Sequence, residues 1–159
     1  MRRIIRLAVV AILSAGAWVV VTNLMVAMNR SHQKRAMADI RAVATAWEAR
    51  VEDKKSYWDL HTIPKGKAPA QLRVMPAELE SVLAPTYIRT LPHKDADGSE
   101  YQFSVSGFDE SGHAGSYTIR ALGSDRRADR IAARGATTTF ADDIVYSDGS
   151  FIQYPEGAS

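Results

Sequence analysis

The chain has 159 residues, a formal net charge of +2 at pH 7 and no cysteine. This length accommodates one modest domain, and the absence of cysteine excludes disulfides, a thiolate nucleophile and a cysteine-ligated zinc site. The small positive charge is spread over several stretches, which argues against nucleic acid as a partner. No nucleophile elbow, phosphate loop or dinucleotide fingerprint occurs, so we expect no enzyme, no catalytic residue and no organic cofactor.

Residues 1–30 are predicted to form a membrane-spanning helix. Three arginines precede an uncharged apolar run at residues 7–28. As a helix this run would extend roughly 33 Å, close to the ~30 Å hydrocarbon core of a bilayer. A cleaved signal peptide is the alternative, because the small residues 15–17 follow a basic and an apolar region. Cleavage there would leave residues 18–28 as an exposed apolar N-terminus, which favours an uncleaved anchor in the lipid bilayer.

Residues 31–58 are predicted to continue this helix as an amphipathic segment that packs on the head. Apolar residues recur at spacings of three and four, which places them on one helix face. Neither glycine nor proline interrupts residues 17–63. The apolar positions are Met37, Ile40, Ala44, Trp47 and Val51.

Residues 59–159 are predicted to form a globular head. A loop containing Pro64, Gly66 and Pro69 follows the long helix, and a short helix is expected at residues 76–83. After Pro92 the apolar period changes to two, as in strands. The expected strands lie near residues 101–105, 117–121, 144–147 and 150–154.

Asp148-Gly149 lies between the last two predicted strands. Both central residues of a type I′ turn need positive φ, so this dipeptide predicts a β-hairpin. Strands joined by such turns form an antiparallel sheet. The predicted fold is therefore α+β, with a long N-terminal helix laid across a small antiparallel sheet.

Several short motifs occur in a fixed order along the chain. The first half carries apolar residues at 9–12, Asn23-Leu24 and the segment 33–41, which reads QKRAMADIR. The second half carries Leu91-Pro92, an Asp-x-x-Gly-x-x-Tyr motif at 95–101, Leu122-Gly123-Ser124-Asp125 and Asp143-Ile144. In this order the motifs resemble those of bacterial pilin-like proteins, in particular the major pseudopilin (G type) of type II secretion, over nearly the whole chain.

The resemblance implies a pilin-like fold and a structural role in protein export. It implies a single-pass protein of the bacterial inner membrane with its C-terminal head in the periplasm. Such subunits polymerise with themselves and with other pseudopilins through the N-terminal helix. The implied indirect partners are the platform protein of the secretion system and an assembly ATPase.

One motif of that family is absent here. Its Gly-Phe-Thr-Leu-x-Glu processing motif has no counterpart, since Ile5 stands where the glutamate would fall and Thr22 where a proline is common. A glutamate in lipid requires a charge partner and marks function, so Ile5 removes a contact that registers neighbouring subunits. A trimmed start and a diverged member anchored without processing are both open.

The resemblance also implies a structural calcium ion in the loop before the last strands. Oxygen ligands suit this hard cation, and an ion between the two ends of the loop would fix residues 123–140. Alternatively, the arginines of that loop pair with the same aspartates and make a metal unnecessary. The implied ligands are the Leu122 carbonyl and the side chains of Ser124, Asp125, Asp142 and Asp143.

Two other patterns predict no metal site. Residues 95–99 read DADGS, like the start of an EF-hand loop, but Ser106 stands where its last glutamate is needed, so we predict a turn. The four histidines, His32, His61, His93 and His113, have no spacing that would form a zinc-binding face.

Two further functions remain open for this sequence. One is a type IV pilus subunit or minor pilin, which would share the fold. The other is an unprocessed, membrane-tethered periplasmic binding module that does not polymerise. The N-terminal sequence of the mature protein would separate processed and unprocessed forms.

Overall fold

The computed structural model describes residues 2–59, 69–130 and 134–157, with side chains from residue 18 onward. Over this part of the chain the architecture is α+β, with a long N-terminal helix, a short helix and a six-stranded sheet. The chain divides into two compact units, Met1–Ser31 and His32–Ser159. The second is called the head unit below, and it contains the whole sheet.

The long helix α1 spans Arg2–Lys54. It ends a few residues before the predicted boundary at residue 58. The reason is Lys55, which adopts the left-handed conformation with φ of 61° while its amide donates to the Val51 carbonyl at 2.7 Å. A residue in this conformation ends a helix because the next amide can no longer continue the ladder.

Within the head unit, α1 buries one face against the sheet. Met37, Ile40, Ala44 and Trp47 are buried as predicted, and Val51 is half-buried. Exposed residues alternate with them at the helical period. Further buried positions on the same helix are Ala36, Val43, Ala46 and Arg50.

The sheet has the strand order β1-β2-β3-β5-β6-β4. The pairings are antiparallel except β4 with β6, which is parallel. The four predicted strands are present as β2, β3, β5 and β6, whereas β1 and β4 were not predicted. The strands are β1 (Gln71–Val74), β2 (Gln102–Phe108), β3 (Ala114–Ala121), β4 (Gly135–Thr137), β5 (Ile144–Ser147) and β6 (Ser150–Pro155).

The short helix α2 spans Pro76–Leu83, as predicted. Proline suits its first turn because the missing amide has no partner there. The Glu78 carboxylate accepts a hydrogen bond from the Met75 amide at 3.2 Å, which satisfies a donor ahead of the helix. Leu79 and Leu83 are fully buried, so the helix is held by its apolar side.

The predicted hairpin turn at Asp148-Gly149 is confirmed. Both residues have positive φ, 48° and 87°, and Ser147 pairs with Ser150 across the turn. The Asp148 carboxylate also accepts hydrogen bonds from the Tyr117 amide at 3.0 Å and from a serine hydroxyl of β3 at 2.8 Å. The turn is therefore fastened to the neighbouring strand.

Trp47 is the centre of the core. Its side chain is fully buried, and its ring centroid lies 6.2 Å from that of Phe103 and 5.1 Å from that of Tyr117. Its indole nitrogen donates to the Tyr57 carbonyl at 2.9 Å, so the polar atom of the side chain is also satisfied. One side chain thus joins α1, the sheet and the segment that follows the helix.

Three tyrosines of the head hydrogen-bond to carboxylates of α1, and we call these contacts the tyrosine seam. Each tyrosine lies more than 30 residues from its partner in sequence, so the contacts fix where the helix lies along the sheet. The pairs are Tyr87 with Asp53 at 2.8 Å, Tyr101 with Asp39 at 3.1 Å, and Tyr117 with Glu48.

The seam changes the ionisation of its buried tyrosines. Burial, together with the negative charge and hydrogen bond of Asp39, raises the pKa of Tyr101 far above its ordinary value of 10.0. Burial and the hydrogen bond to Glu48 raise the pKa of Tyr117 in the same way. Both phenols therefore stay protonated while the head is folded.

Arg50 holds the end of α1 to the chain that follows it. Its guanidinium is buried and donates to the carbonyls of Ser56 at 2.7 Å and Tyr57 at 3.1 Å. It also lies 3.4 Å from the Asp59 carboxylate, which balances its charge. A buried charge is tolerated because it is paired and hydrogen-bonded.

Candidate functional site

The first candidate is the part of α1 from Trp18 to Met28, which we call the apolar segment. Its large side chains are exposed around the helix, with Trp18 at 72% and Met25 at 60% exposure. Thr22 adds no free hydroxyl, because its Oγ1 donates to the carbonyls of Trp18 at 3.1 Å and Val19 at 3.0 Å. The other exposed large apolar side chains of the segment are Val19, Val20, Val21, Leu24, Val26 and Met28.

The expectation of a single-pass inner-membrane protein is wrong. Among the residues that the structure describes, no helix is long and apolar enough to cross a bilayer. The described apolar segment has eleven residues, roughly 17 Å of helix against ~30 Å of hydrocarbon. The rest of the predicted span, residues 7–17, lies outside the described side chains, as does Ile5.

The second candidate is the loop that was predicted to hold calcium. The structure brings its two ends together, since the Ser124 amide donates to the Phe140 carbonyl at 2.8 Å. Gly123 is required at this crossing, because a Cβ atom there would lie 1.7 Å from the Ala141 carbonyl oxygen. Leu122 and Ser124 therefore lie beside the segment that leads to Asp142 and Asp143.

Asp143 is the most constrained of the predicted ligands. Its carboxylate is buried and accepts the amides of Gly123 at 3.1 Å and Asp129 at 2.9 Å, while the guanidinium of Arg120 lies 3.4 Å away. Burial raises the pKa of Asp143, and the hydrogen bonds and Arg120 oppose that rise. The alternative of arginine–aspartate pairing thus applies to Asp143, but the arginine comes from β3 rather than from the loop.

Two further residues belong to this cluster: Asp129, which the sequence offers as an additional calcium ligand, and Gln153, which was not assigned a role from the sequence. Asp129 returns the contact, since its carboxylate accepts the Asp143 amide at 3.1 Å. Buried Gln153 donates to Asp129 at 3.4 Å. The signal for Gln153 was a polar residue at an inward position of a strand, which becomes visible only once the register of β6 is known.

The other predicted ligands contribute less to the loop. Asp125 accepts the Arg127 amide at 2.9 Å, which makes a local turn, and Ser124 is exposed. Within the described ranges, no group of three or more His, Asp or Glu side chains is placed to hold a metal ion. Calcium stays a prediction that depends on the Leu122 carbonyl, Ser124, Asp125 and Asp142, because the oxygens of Asp143 already accept two amides and lie beside the Arg120 guanidinium.

The histidines lie apart and contact carboxylates. His32 lies 2.8 Å from Asp97, and His93 lies 2.8 Å from Glu80. His113 lies between two aspartates, and His61 falls outside the described residues. The DADGS segment forms the predicted turn, closed by the Asp95 carboxylate on the amides of Asp97 and Ser99.

Comparison of the chain with protein-family models, with curated proteins and with solved structures gives no match. The resemblance to pseudopilins therefore rests on the ordered motifs alone.

Proposed function

We propose that this protein is a structural subunit of a pilin-like filament, comparable to the pseudopilus of type II secretion, and that it assembles through α1. The apolar segment is the observation that carries this proposal. Exposed apolar surface of this extent marks an interaction site rather than an ordinary water-facing helix. A filament whose centre consists of neighbouring α1 helices would bury it on all sides.

The described head supports the same role. Its sheet and helices are held by the Trp47 core, and the polar groups of the loop cluster pair with one another around Asp143. A folded head and an exposed apolar helical segment in the same chain suit a subunit of a larger assembly. Copies of the chain and related subunits would be the direct partners, and a platform protein and an assembly ATPase would act on the growing filament.

Burial of apolar surface would supply the driving force for assembly. Each square ångström removed from water contributes about 25 cal/mol. A single charge on that surface should oppose assembly, because it would have to be buried among apolar neighbours. This gives a direct test.

The test compares Leu24→Asp with Arg73→Asp by sedimentation of the full chain. Leu24 lies on the apolar segment, and Arg73 is an exposed residue of β1. We expect the parent protein and Arg73→Asp to form species larger than a dimer, and Leu24→Asp to form none. Equal sedimentation of all three proteins would overturn the proposal.

A bacterial strain that lacks the gene separates the two filament types. Loss of protein export, restored by the parent gene and not by the Leu24→Asp variant, is expected for a pseudopilus subunit. Surface fibres that contain the protein would instead assign it to a type IV pilus.

A further inference from the structure

The face of α1 that points away from the sheet has a charge pattern that is complementary to itself. At 100° per residue, eight exposed positions of the head unit lie within about 60° of one line along the helix. Basic residues occupy its start, small residues its middle and acidic residues its end. They are Lys34, Arg35, Ala38, Ala42, Thr45, Ala49, Glu52 and Asp53.

These eight positions form four pairs, and the two residue numbers of each pair add up to the same value. Lys34 corresponds to Asp53, and Arg35 to Glu52. Ala38 likewise corresponds to Ala49, and Ala42 to Thr45. An antiparallel copy of the helix, related by a two-fold axis between residues 43 and 44, would therefore place every basic residue opposite an acidic one.

We propose that this outward face of α1 binds a second copy of the chain in an antiparallel, two-fold symmetric contact. Four ion pairs would form, two at each end, because each pair occurs twice about the axis. A parallel arrangement in register would instead place like charges side by side at both ends. The charges thus select both the partner and its direction.

The middle of the face suits close approach of two helices. Ala38, Ala42 and Ala49 carry only a methyl group. Thr45 Oγ1 donates to the Arg41 carbonyl at 2.9 Å, so the threonine also presents its methyl group. Small residues at a helix crossing let the axes approach to the short end of the usual 8–10 Å range.

The charged ends are available for such a contact. Among the described residues, no ion pair involves Lys34, Arg35, Glu52 or Asp53. Asp53 accepts one hydrogen bond from Tyr87, at one of its two carboxylate oxygens. The face extends over 20 residues, roughly 30 Å of helix. Contacts of this size and polarity are weak and sensitive to salt.

This contact goes beyond the proposed assembly, since it uses residues 34–53 and none of the apolar segment. Disulfide trapping tests it, because the chain has no native cysteine. Ala38→Cys and Ala49→Cys chains are mixed at full length and oxidised. The antiparallel contact predicts a disulfide between an Ala38→Cys chain and an Ala49→Cys chain. It predicts no disulfide between identical chains when either variant is oxidised alone.

A mixture of Ala38→Cys with Ala136→Cys is the control, since Ala136 is exposed on β4, an edge strand of the sheet, and does not belong to the outward face of α1. Disulfides only between identical chains, or none at all, would overturn the proposed contact. Neither result bears on Leu24→Asp, so failure of this inference and failure of the filament proposal remain distinguishable.

Charge reversal provides a second measurement. Lys34→Glu/Arg35→Glu makes the face wholly acidic, and Glu52→Lys makes it mainly basic while it keeps the Asp53 contact with Tyr87. To isolate this contact, both are combined with Leu24→Asp. Each should dimerise roughly tenfold or more weakly than Leu24→Asp alone, whereas a 1:1 mixture should associate more strongly than either charge variant by itself. Weak association of the mixture would contradict the antiparallel pairing.

Discussion

The apolar segment and the head-unit part of α1 are both α-helical, but their side chains are distributed differently around the helix. In the apolar segment, every side chain is exposed and all but Thr22 and Asn23 are apolar, so there is no distinction between an inner and an outer face. In the head unit, apolar residues lie on one side and charged or small residues on the other. The difference shows which part of the helix is covered by the described residues of its own chain: the head portion is, and the apolar segment is not.

Two tryptophans provide the strongest test of this difference. Trp47 is fully buried, and Trp18 is 72% exposed. We expect Trp47→Ala to lower the free energy of unfolding by about 3–5 kcal/mol, since a large cavity forms and a hydrogen bond is lost. Trp18→Ala should change it by less than about 0.5 kcal/mol. Urea unfolding followed by near-UV circular dichroism measures both, and equal losses would contradict the distinction.

Gly123 gives the next largest effect and lies within the head unit. Gly123→Ala should destabilise the head by about 3 kcal/mol, because the new methyl group would collide with the Ala141 carbonyl. Gly98→Ala is the matched control: its Cβ would meet no atom within 4 Å, and only its φ of 82° is unfavourable. That variant should lose about 1 kcal/mol in thermal unfolding. A tolerated Gly123→Ala would show that the loop crossing is not fixed.

The tyrosine seam predicts a loss of stability at alkaline pH. The folded head raises the pKa values of Tyr101 and Tyr117 above the ordinary 10.0, so the unfolded chain releases protons first. The stabilisation is complete below pH 10 and is lost as the pH rises towards the folded pKa values. The slope is about 1.4 kcal/mol per pH unit for each tyrosine.

Urea titrations at pH 9 to 11 measure this slope. The double variant Tyr101→Phe/Tyr117→Phe should show a shallower loss than the parent protein. Tyr154→Phe, which changes a half-buried tyrosine outside the seam, serves as the control. An unchanged slope in the double variant would show that Tyr101 and Tyr117 do not cause the loss of stability at alkaline pH.

The smallest expected effect concerns the predicted calcium ion. At a calcium concentration tenfold above the dissociation constant, bound ion would stabilise the head by about 1.4 kcal/mol. A chelator should then lower the melting temperature of the parent protein and of Glu110→Ala, an exposed control. Asp125→Ala should melt alike with and without chelator. Identical melting temperatures of the parent protein with and without chelator would show that calcium does not stabilise the head.

Much of the head was predictable because its signals are local. The buried stripe of α1, the bounds of α2 and the Asp148-Gly149 turn each depend on residues close in sequence. Strands β1 and β4 escaped prediction because they have four and three residues, too few for a periodic pattern, and no Asp-Gly turn marks them as it marks the equally short β5. The parallel pairing of β4 with β6 is set by the rest of the sheet, which no local pattern records.

The candidate sites were less predictable than the fold. The motifs led to the loop ends that meet at Gly123, but not to Arg120, which reaches Asp143 from a neighbouring strand. Finding it requires the pairing of Arg120 with Val145 in β3 and β5. The membrane prediction counted apolar residues over the whole N-terminus, whereas the described apolar segment is too short to support it.

During synthesis, the helix residues of the tyrosine seam leave the ribosome well before their tyrosine partners. Glu48 and Tyr117 are 69 residues apart, and Asp39 and Tyr101 are 62 apart. At ribosomal rates of roughly 5–20 residues per second, α1 would wait several seconds for the strands that cover it. During that interval the face of α1 that the sheet later covers exposes apolar side chains to water, as the apolar segment does. The nascent chain should therefore depend on a chaperone more than its small size suggests.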